Sequence, residues 1–178
     1  MNAHIRTTTI SDAKAACHVL RRSIAECCEE DHHNDPILLD AWLHNKNPES
    51  VRSWLQSPGG FSIVAMVEAA VVGFALSSPS GEIMLCYVLP EVRFTGAGKA
   101  MLRAIEANAS AADVQSLHLE STCTARAFYL RSSFVPSGPP CVAFGMEAHP
   151  MSKQLVANSV FDGGAPFNLN GYARFPQQ

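Results

Sequence analysis

A loop that combines two glycines with two basic residues, from Arg93 to Lys99, is the segment of the sequence best suited to bind an anion. It follows an apolar run that ends at Pro90, and a helical pattern begins near Gly98. The N-terminus of a helix presents backbone N–H groups that bind phosphate, and glycines let a phosphate approach the backbone closely. The segment therefore predicts a phosphate-binding turn between a strand and a helix.

Three nucleotide-binding patterns can be compared with this loop. The dinucleotide pattern G-x-G-x-x-G fails because Met101 occupies the third glycine position. The P-loop pattern G-x-x-x-x-G-K-S/T fails at Arg93 and again at Ala100. The pattern Q/R-x-x-G-x-G/A fits residues 93–98, which read RFTGAG. Because so short a pattern also occurs in ordinary strand-to-helix turns, a second signature is needed to assign a function.

The second signature runs from Thr122 to Phe134, after the next predicted strand. Its sequence, TCTARAFYLRSSF, is similar to the pattern N-x-x-A-x-x-L/F-Y-x-x-x-G-F. The glycine loop and the strand before it resemble the pattern Y-V-x-P-x-x-R-G-x-G-x-G. Together the two segments resemble the GNAT superfamily of acetyl-CoA-dependent N-acetyltransferases, and the resemblance covers about residues 4 to 155.

Three residues depart from these family patterns. Phe94 stands where the pattern Y-V-x-P-x-x-R-G-x-G-x-G has its first glycine. The replacement restricts the backbone conformations that the turn can adopt. Thr122 stands where the family often has an asparagine that contacts the cofactor, and Ser133 replaces the glycine before Phe134. Because a hydroxyl is shorter than an amide, the contact carried over to Thr122 is the weakest of those that the resemblance implies.

The resemblance implies that acetyl-CoA is the co-substrate and that it binds between two splayed strands, at residues 82–89 and 115–120. The pantetheine arm would pair with the backbone of the first strand, and the pyrophosphate would lie on the glycine loop. The cofactor-binding residues that this predicts are Cys86, Tyr87, Val88, Arg93, Phe94, Thr95, Gly96, Ala97, Gly98, Lys99 and Thr122.

The resemblance also implies the reaction, in which a primary amine attacks the thioester directly within a ternary complex. Tyr129 occupies the family's general-acid position, from which a phenol can protonate the leaving thiolate. A backbone N–H near Val88 would polarise the thioester carbonyl. The group that takes the proton of the amine is left open among Glu82, Glu120, His118 and water.

Two other kinds of chemistry are weakly supported by the sequence. Cys123 is a poor candidate for a nucleophile because the sequence sets no histidine beside it. Cys28 and His32 are four residues apart, as metal ligands on a helix can be, but the stretch is more typical of a polar helix end. We therefore predict no metal site.

An acidic segment, Glu29-Glu30-Asp31, suggests the type of acceptor. In the resembled family the first helices line the acceptor site, and carboxylates there would attract a cationic amine. We expect a small amine or an amino-acid-like metabolite as the acceptor. The alternatives are a protein or peptide amino group, or a non-catalytic module that only binds acyl-CoA. A homodimer is left open.

Composition limits the classes of protein that the chain can belong to. It has 178 residues, 16% of them charged, and a formal net charge of −3 with no run of lysines and arginines, so we expect no nucleic-acid partner. The longest apolar stretch, residues 61–76, is too short and too polar to span a membrane. The six cysteines form no CxxC pair, and no secretory signal is recognised, so we expect reduced thiols in the cytoplasm.

The hydrophobic pattern predicts the element order β-α-α-β-β-β-α-β-α-β-β. That order indicates an α/β (α+β) fold, GNAT-like, with a mixed and mostly antiparallel sheet of about seven strands flanked by helices. We expect a long helix over 13–28, an antiparallel meander over 61–89, and a final strand over 141–147. We assign residues 1–155 to the N-acetyltransferase domain and 156–178 to a C-terminal tail that is loosely ordered or docked on a partner.

Overall fold

The computed structural model describes residues 3–143 and 145–155. Its helices are α1 (Ala13–Cys27), α2 (Glu29–His32), α3 (Pro36–Leu43), α4 (Pro48–Gln56), α5 (Ala97–Ala111) and α6 (Cys123–Arg131). Its strands are β1 (His4–Thr7), β2 (Phe61–Val67), β3 (Ala70–Ser77), β4 (Ile83–Val88), β5 (Ser116–Ser121), β6 (Val135–Pro136), β7 (Cys141–Ala143) and β8 (Met146–Gln154).

The strands form two antiparallel sheets that touch at one point. The first has the order β1-β2-β3-β4, and the second has the order β5-β8-β6, with β7 also paired to β8. β4 and β5 are parallel neighbours, joined at an isolated bridge between Glu82 and His118. The predicted mixed α/β architecture with mostly antiparallel strands is confirmed.

Helices cover both faces of the first sheet. On one face, Ile63 of β2 and Ala75 of β3 share a core with Met101 of α5. On the other, Val64 and Phe74 share a core with residues of α1 and α4, including the fully buried Leu20 and Val51. Because both faces are covered, β2 and β3 are continuous apolar runs in the sequence, where a half-buried strand would alternate polar and apolar residues.

Local capping explains where the short helices begin. α3 and α4 each have a proline in the first turn, where the missing N–H costs nothing. The side chain before each proline accepts a hydrogen bond from the new helix, Asp35 from the N–H of Ile37 and Asn47 from the N–H of Ser50. The structure has four α-helices, α1 to α4, between β1 and β2, whereas the predicted order β-α-α-β has two.

The predicted final strand over 141–147 is wrong. The chain instead turns at Gly145, whose φ is 78°, and forms the hairpin β7–β8. β8 continues through Pro150 to Gln154 and pairs with β5 on one edge. A proline usually argues against an interior strand because it lacks a donor, but here its carbonyl still accepts the N–H of Ser137 at 2.9 Å. The sequence analysis did not predict β8 as the central strand of the second sheet, because β8 contains a proline and several polar residues.

Three further expectations concern the C-terminal tail, a membrane-spanning helix and the cysteines. The tail at 156–178 lies outside the described residues. None of the helices in the described residues is both long enough and apolar enough to cross a membrane. The six cysteines are free thiols.

Lys46, in the connection between α3 and α4, is a buried cation with a consequence for stability. It is 4% exposed, and its Nζ donates to the carbonyl of Trp42 at 3.4 Å. Burial lowers its pKa from 10.5 to about 8. Between these two pH values the unfolded chain holds a proton that the folded chain has lost, so the free energy of unfolding rises with pH across this window.

We expect the native protein to gain about 3 kcal/mol relative to a Lys46→Met variant as the pH rises from below 8 to above about 10.5. Urea unfolding of both proteins at matched pH values measures this difference, because the other titrating groups are shared. Lys14→Met, which removes an exposed lysine of α1, is the control and should show no such trend. A difference between Lys46→Met and the native protein that does not change with pH would contradict the assignment.

Candidate functional site

The gap between β4 and β5 opens a cavity of about 700 Å³. The two strands meet at its closed end, where the N–H of His118 donates to the carbonyl of Gly81 at 3.0 Å. Gly81 has a φ of 88°, and a Cβ there would collide with the carbonyl oxygen of Ser116. A glycine is thus required for the strands to meet at this end, and beyond the bridge they diverge.

Most of the residues predicted to bind cofactor or act in catalysis line this cavity. They are Cys86, Tyr87, Val88, Arg93, Phe94, Gly96, Gly98, Lys99, Thr122 and Tyr129. Two predicted residues of the glycine loop lie outside the lining: Ala97 is buried, and the hydroxyl of Thr95 donates to the carbonyl of Val92 at 2.7 Å. The structure therefore brings together residues from β4, the glycine loop and α6.

The glycine loop has the geometry of an anion-binding turn. Gly96 is the N-cap of α5 with a φ of 97°, a conformation that side chains with a Cβ rarely adopt. The N–H of Ala100 donates to the carbonyl of Gly96 at 2.9 Å. The N–H groups of residues 97–99 precede it in the first turn of α5 and have no carbonyl in a preceding turn to bind. With the side chains of Arg93 and Lys99 in the same lining, this turn is suited to a pyrophosphate.

Two departures from the family patterns lie at strained backbone positions. Phe94 has a φ of 63° and Ser133 a φ of 67°, so both occupy the left-handed region where the family has glycine. Phe94 is 90% exposed, and the guanidinium of Arg93 lies 5.0 Å from the centre of its ring. The chain therefore keeps the glycine conformation at both positions without the glycine.

We expect Ser133→Gly to raise the free energy of unfolding by about 1 kcal/mol, because glycine adopts the left-handed conformation without a Cβ penalty. Ser133 is exposed and its side chain is small, so little else is lost. The matched control is Ser133→Ala, which keeps the penalty and should bring no gain. Urea unfolding distinguishes them, and equal stability of the two variants would show that the backbone stores no strain there.

Tyr129 lies in the cavity wall on α6. It is 6% exposed, and its ring packs edge-on against Phe128 and Phe134, with centroids 5.1 and 5.4 Å away. Its hydroxyl interacts with the thiol of Cys86 of β4. Burial, together with the neighbouring Cys86 and Tyr87, raises the pKa of Tyr129 well above its usual value. The phenol therefore keeps its proton throughout the physiological pH range.

Two side chains hold the start of α6, Thr122 and Asp31. The sequence analysis had assigned Asp31 to the acidic segment that would attract a cationic acceptor. Thr122 is the N-cap, and its hydroxyl accepts the N–H of Ala125 at 3.1 Å. Asp31 of α2 accepts the N–H groups of Cys123 at 2.7 Å and Thr124 at 3.4 Å. Asp31 is 5% exposed and lines the cavity, so this carboxylate positions α6, the helix that carries Tyr129.

The other carboxylates of the acidic segment have a different environment. Glu29 and Glu30 are exposed, lie outside the cavity lining, and Glu29 accepts a hydrogen bond from Asn34 at 2.6 Å. The cavity instead has a carboxylate that the sequence analysis did not select, Glu147 of β8. Its position at the site depends on the pairing of β8 with β5 and β7, which no local pattern in the sequence signals.

The candidates for a proton acceptor separate clearly by position. Glu120 of β5 lines the cavity, whereas Glu82 and His118, which form the bridge at the closed end, do not. The suggested metal pair is also explained: His32 is fully buried, with its Nε2 3.2 Å from the carbonyl of Ile24 and its Nδ1 accepting the N–H of Asn34. Both ring nitrogens of His32 thus serve the backbone around α2.

Cys86, which lines the cavity, and Cys123, at the start of α6, are poor nucleophiles. Burial raises the pKa of Cys86 to about 12. Burial and the carboxylates of Asp31, Glu147 and Glu30 raise the pKa of Cys123. The expectation that no histidine adjoins Cys123 is wrong, because His149 of β8 lies 3.4 Å from its Sγ. The thiol is nevertheless protonated at neutral pH, so a covalent acetyl-cysteine route is not favoured.

A comparison with protein families decides the assignment of the fold. The family described as acetyltransferase (GNAT) domain matches residues 24–155, which is more than half of the chain. The chain belongs to the GNAT acetyltransferase family. Membership makes this GNAT domain an N-acetyltransferase, as the resemblance of its two motifs implied.

Solved structures agree with this GNAT fold. A GCN5-related N-acetyltransferase from Rhodopseudomonas palustris is 20% identical, with a TM-score of 0.78 over 87% of this chain and 97% of that one. A phosphinothricin acetyltransferase from Sinorhizobium meliloti, in complex with acetyl-CoA, is 19% identical, with a TM-score of 0.66 over 87% and 89%. The ribosomal-protein-S18-alanine N-acetyltransferase from Escherichia coli is 17% identical, with a TM-score of 0.63 over 90% and 100%.

These likenesses show the fold alone, because the identities are low. A search of curated proteins found no match to the sequence. The comparisons therefore do not identify the acceptor substrate of this GNAT domain, and the residues that line its cavity are the guide to that substrate.

Proposed function

We propose that this chain transfers the acetyl group of acetyl-CoA to a small primary amine or amino-acid-like metabolite, by direct attack within a ternary complex. One observation carries the proposal. A single cavity, formed where β4 and β5 diverge, is lined by both the anion-binding turn before α5 and the buried phenol of Tyr129. A phosphate cradle and a proton donor in one cavity are what a coenzyme A thioester requires at its two ends.

The coenzyme would lie along β4. The turn at residues 96–99 offers N–H groups and the charge of Lys99 to the pyrophosphate. One edge of β4 pairs with β3, and the edge over residues 86–88 faces the gap. Its backbone groups are therefore available to the amides of the pantetheine arm. Two or three hydrogen bonds of this kind fix the thioester relative to Tyr129.

The proposed reaction balances its protons between two side chains. The amine nitrogen attacks the thioester carbonyl carbon, the new C–N bond forms, and the C–S bond breaks with its electrons on sulfur. Tyr129 donates its proton to the departing thiolate, and Glu120, directly or through water, accepts the proton that the amine loses. Tyr129 then regains a proton from solvent.

We expect Glu120→Gln to lower kcat by about 100-fold near neutral pH, because the amide cannot accept the proton of the amine. Glu82→Gln is the matched control, since Glu82 lies immediately before β4 and outside the cavity lining. Steady-state rates with saturating acetyl-CoA measure the effect. If the two variants are equally active, water alone serves as the proton acceptor.

The part of the cavity around Tyr87 supports a small acceptor. Trp42 and Met146 provide apolar and aromatic surface there, and Asp31 and Glu147 provide negative charge. A wall of this composition suits an amine that carries both an apolar part and a positive charge. The Sinorhizobium meliloti enzyme, which has a similar fold, is named for the acetylation of phosphinothricin.

A protein or peptide amino group is the second candidate. The Escherichia coli structure is named for acetylation of an alanine of a ribosomal protein, and its fold is similar. The two candidates differ in a simple way, because a peptide acceptor must leave most of its chain outside the cavity.

The proposal is tested by thiol release from acetyl-CoA in the presence of single amines, with the products weighed by mass spectrometry. The panel contains amino acids, diamines and polyamines, and peptides that begin with alanine. We expect amine-dependent thiol release with a small amine as the acetylated product. Acetylation of peptides alone would favour the second candidate, and tight binding of acetyl-CoA without turnover on any amine would contradict an N-acetyltransferase role.

A further inference from the structure

Three potential metal ligands from two distant parts of the chain converge beside the start of α6. They are Cys123, the first residue of α6, and Glu147 and His149, which lie two residues apart on β8. The Sγ of Cys123 is 3.4 Å from the Nε2 of His149, and that Nε2 is 3.1 Å from a carboxylate oxygen of Glu147. All three ligand atoms lie within 4.8 Å of one another.

These separations are close to those of three ligands on one zinc ion. With Zn–S of about 2.3 Å and Zn–N or Zn–O of about 2.0 to 2.1 Å, tetrahedral geometry sets sulfur and nitrogen about 3.6 Å apart, and nitrogen and oxygen about 3.3 Å apart. The observed distances of 3.4 and 3.1 Å differ from these values by little. The Glu147 side chain is 59% exposed, so it can rotate to adjust its oxygen.

Hydrogen bonding alone satisfies this cluster poorly. Both Cys123 and Glu147 approach the same ring nitrogen, the Nε2 of His149. If that nitrogen donates, its single hydrogen is shared between the thiol sulfur and the carboxylate oxygen. A cation placed between the three atoms would use the lone pairs of all of them at once.

The surroundings of the cluster favour a cation. Asp31 accepts the N–H of Cys123 at 2.7 Å, which sets a further carboxylate beside the cluster. Within this group the charged partners are carboxylates, and His149 is the one basic side chain that the structure places in contact with them. A divalent ion would therefore reduce an excess of negative charge beside α6.

We propose that Cys123, Glu147 and His149 form a binding site for a thiophilic divalent cation, for which Zn²⁺ is the probe. Binding replaces the S–H bond of Cys123 with a metal–sulfur bond and releases the proton to solvent, and neutral His149 donates its Nε2 lone pair. The fourth coordination position is left to water, as in zinc sites with three protein ligands. The bound ion would join α6, which carries Tyr129, to β8.

Zinc titration of the full chain against a chromogenic chelator tests the site without reference to acetyl transfer. We expect one Zn²⁺ per chain, an affinity that rises with pH because a proton is released, and, with Co²⁺ as a substitute, a thiolate-to-cobalt charge-transfer band. Cys123→Ser should abolish the band, and His149→Ala and Glu147→Gln should each weaken zinc binding by about tenfold or more.

The matched controls are Cys141→Ser and His118→Ala, which remove a cysteine and a histidine outside the cluster and should leave zinc binding unchanged. Glu147→Gln is the safest of the test variants because its side chain is largely exposed, so a folding defect cannot mimic its effect. Stoichiometric binding that survives all three cluster substitutions, or no binding above that of Cys123→Ser, would overturn the proposal. The proposed acetyl transfer is judged separately, by amine-dependent thiol release, and needs no metal step.

Discussion

Tyr129→Phe is expected to lower kcat by about 100-fold or more, with little change in the KM for acetyl-CoA. The substitution removes the one hydroxyl that we assign as proton donor to the leaving thiolate. It keeps the ring that packs against Phe128 and Phe134. Steady-state kinetics with the best amine of the panel give both constants, and a urea unfolding curve shows whether the fold is retained.

The control for this prediction is Tyr87→Phe, which removes a second buried hydroxyl from the same cavity. Its effect on kcat should be much smaller, because that hydroxyl is not the one assigned as proton donor to the leaving thiolate. Because the pKa of Tyr129 is raised, the phenol should stay protonated up to at least pH 10, where an unperturbed tyrosine ionises. The kcat of the native enzyme should therefore show no loss from ionisation of Tyr129 below about pH 10. Equal losses in the two variants would remove Tyr129 from the role of acid.

The double variant Arg93→Ala/Lys99→Ala is expected to raise the KM for acetyl-CoA by about 100-fold or more, while kcat at saturation changes little. Each side chain lines the cavity at the anion-binding turn. A hydrogen bond to a charged group contributes about 1.5 to 3 kcal/mol, which is about a tenfold effect or more for each contact. The measurement is the KM for acetyl-CoA, or the affinity for coenzyme A by calorimetry.

The matched control is Arg103→Ala, which removes an exposed charge from the same helix outside the cavity lining. It should leave the KM within about twofold, because Arg103 is outside the cavity lining and an exposed charge is screened by solvent and salt. Added salt should also weaken coenzyme binding to the native protein more than to the double variant. If Arg103→Ala weakens binding as much as the double variant, general charge rather than the turn accounts for the affinity.

The residues that the sequence analysis selected and the structure places in one cavity are encoded within short segments. The turn at residues 93–99 depends on a glycine in the left-handed conformation followed by a helix, and both signals are local. The same holds for Tyr129, whose place in α6 follows from its own motif. The positive φ values of Phe94 and Ser133 show that the backbone geometry persists where the glycine is lost.

The parts that the sequence did not predict depend on contacts between distant segments. Asp31 caps α6 across 92 positions of the chain, and no local pattern signals that partner. β8 was predicted only in part because Pro150 and its polar neighbours mask a central strand. That error also hid His149 beside Cys123, and with it the cluster proposed to bind zinc.

Initial rates at several fixed concentrations of the acceptor amine, with acetyl-CoA varied, test the central claim most directly. Direct attack in the cavity between β4 and β5 requires both substrates to be bound before any product leaves. The account therefore predicts double-reciprocal lines that converge. Parallel lines, with an acetylated protein detected by mass spectrometry before amine is added, would contradict it by showing a covalent intermediate.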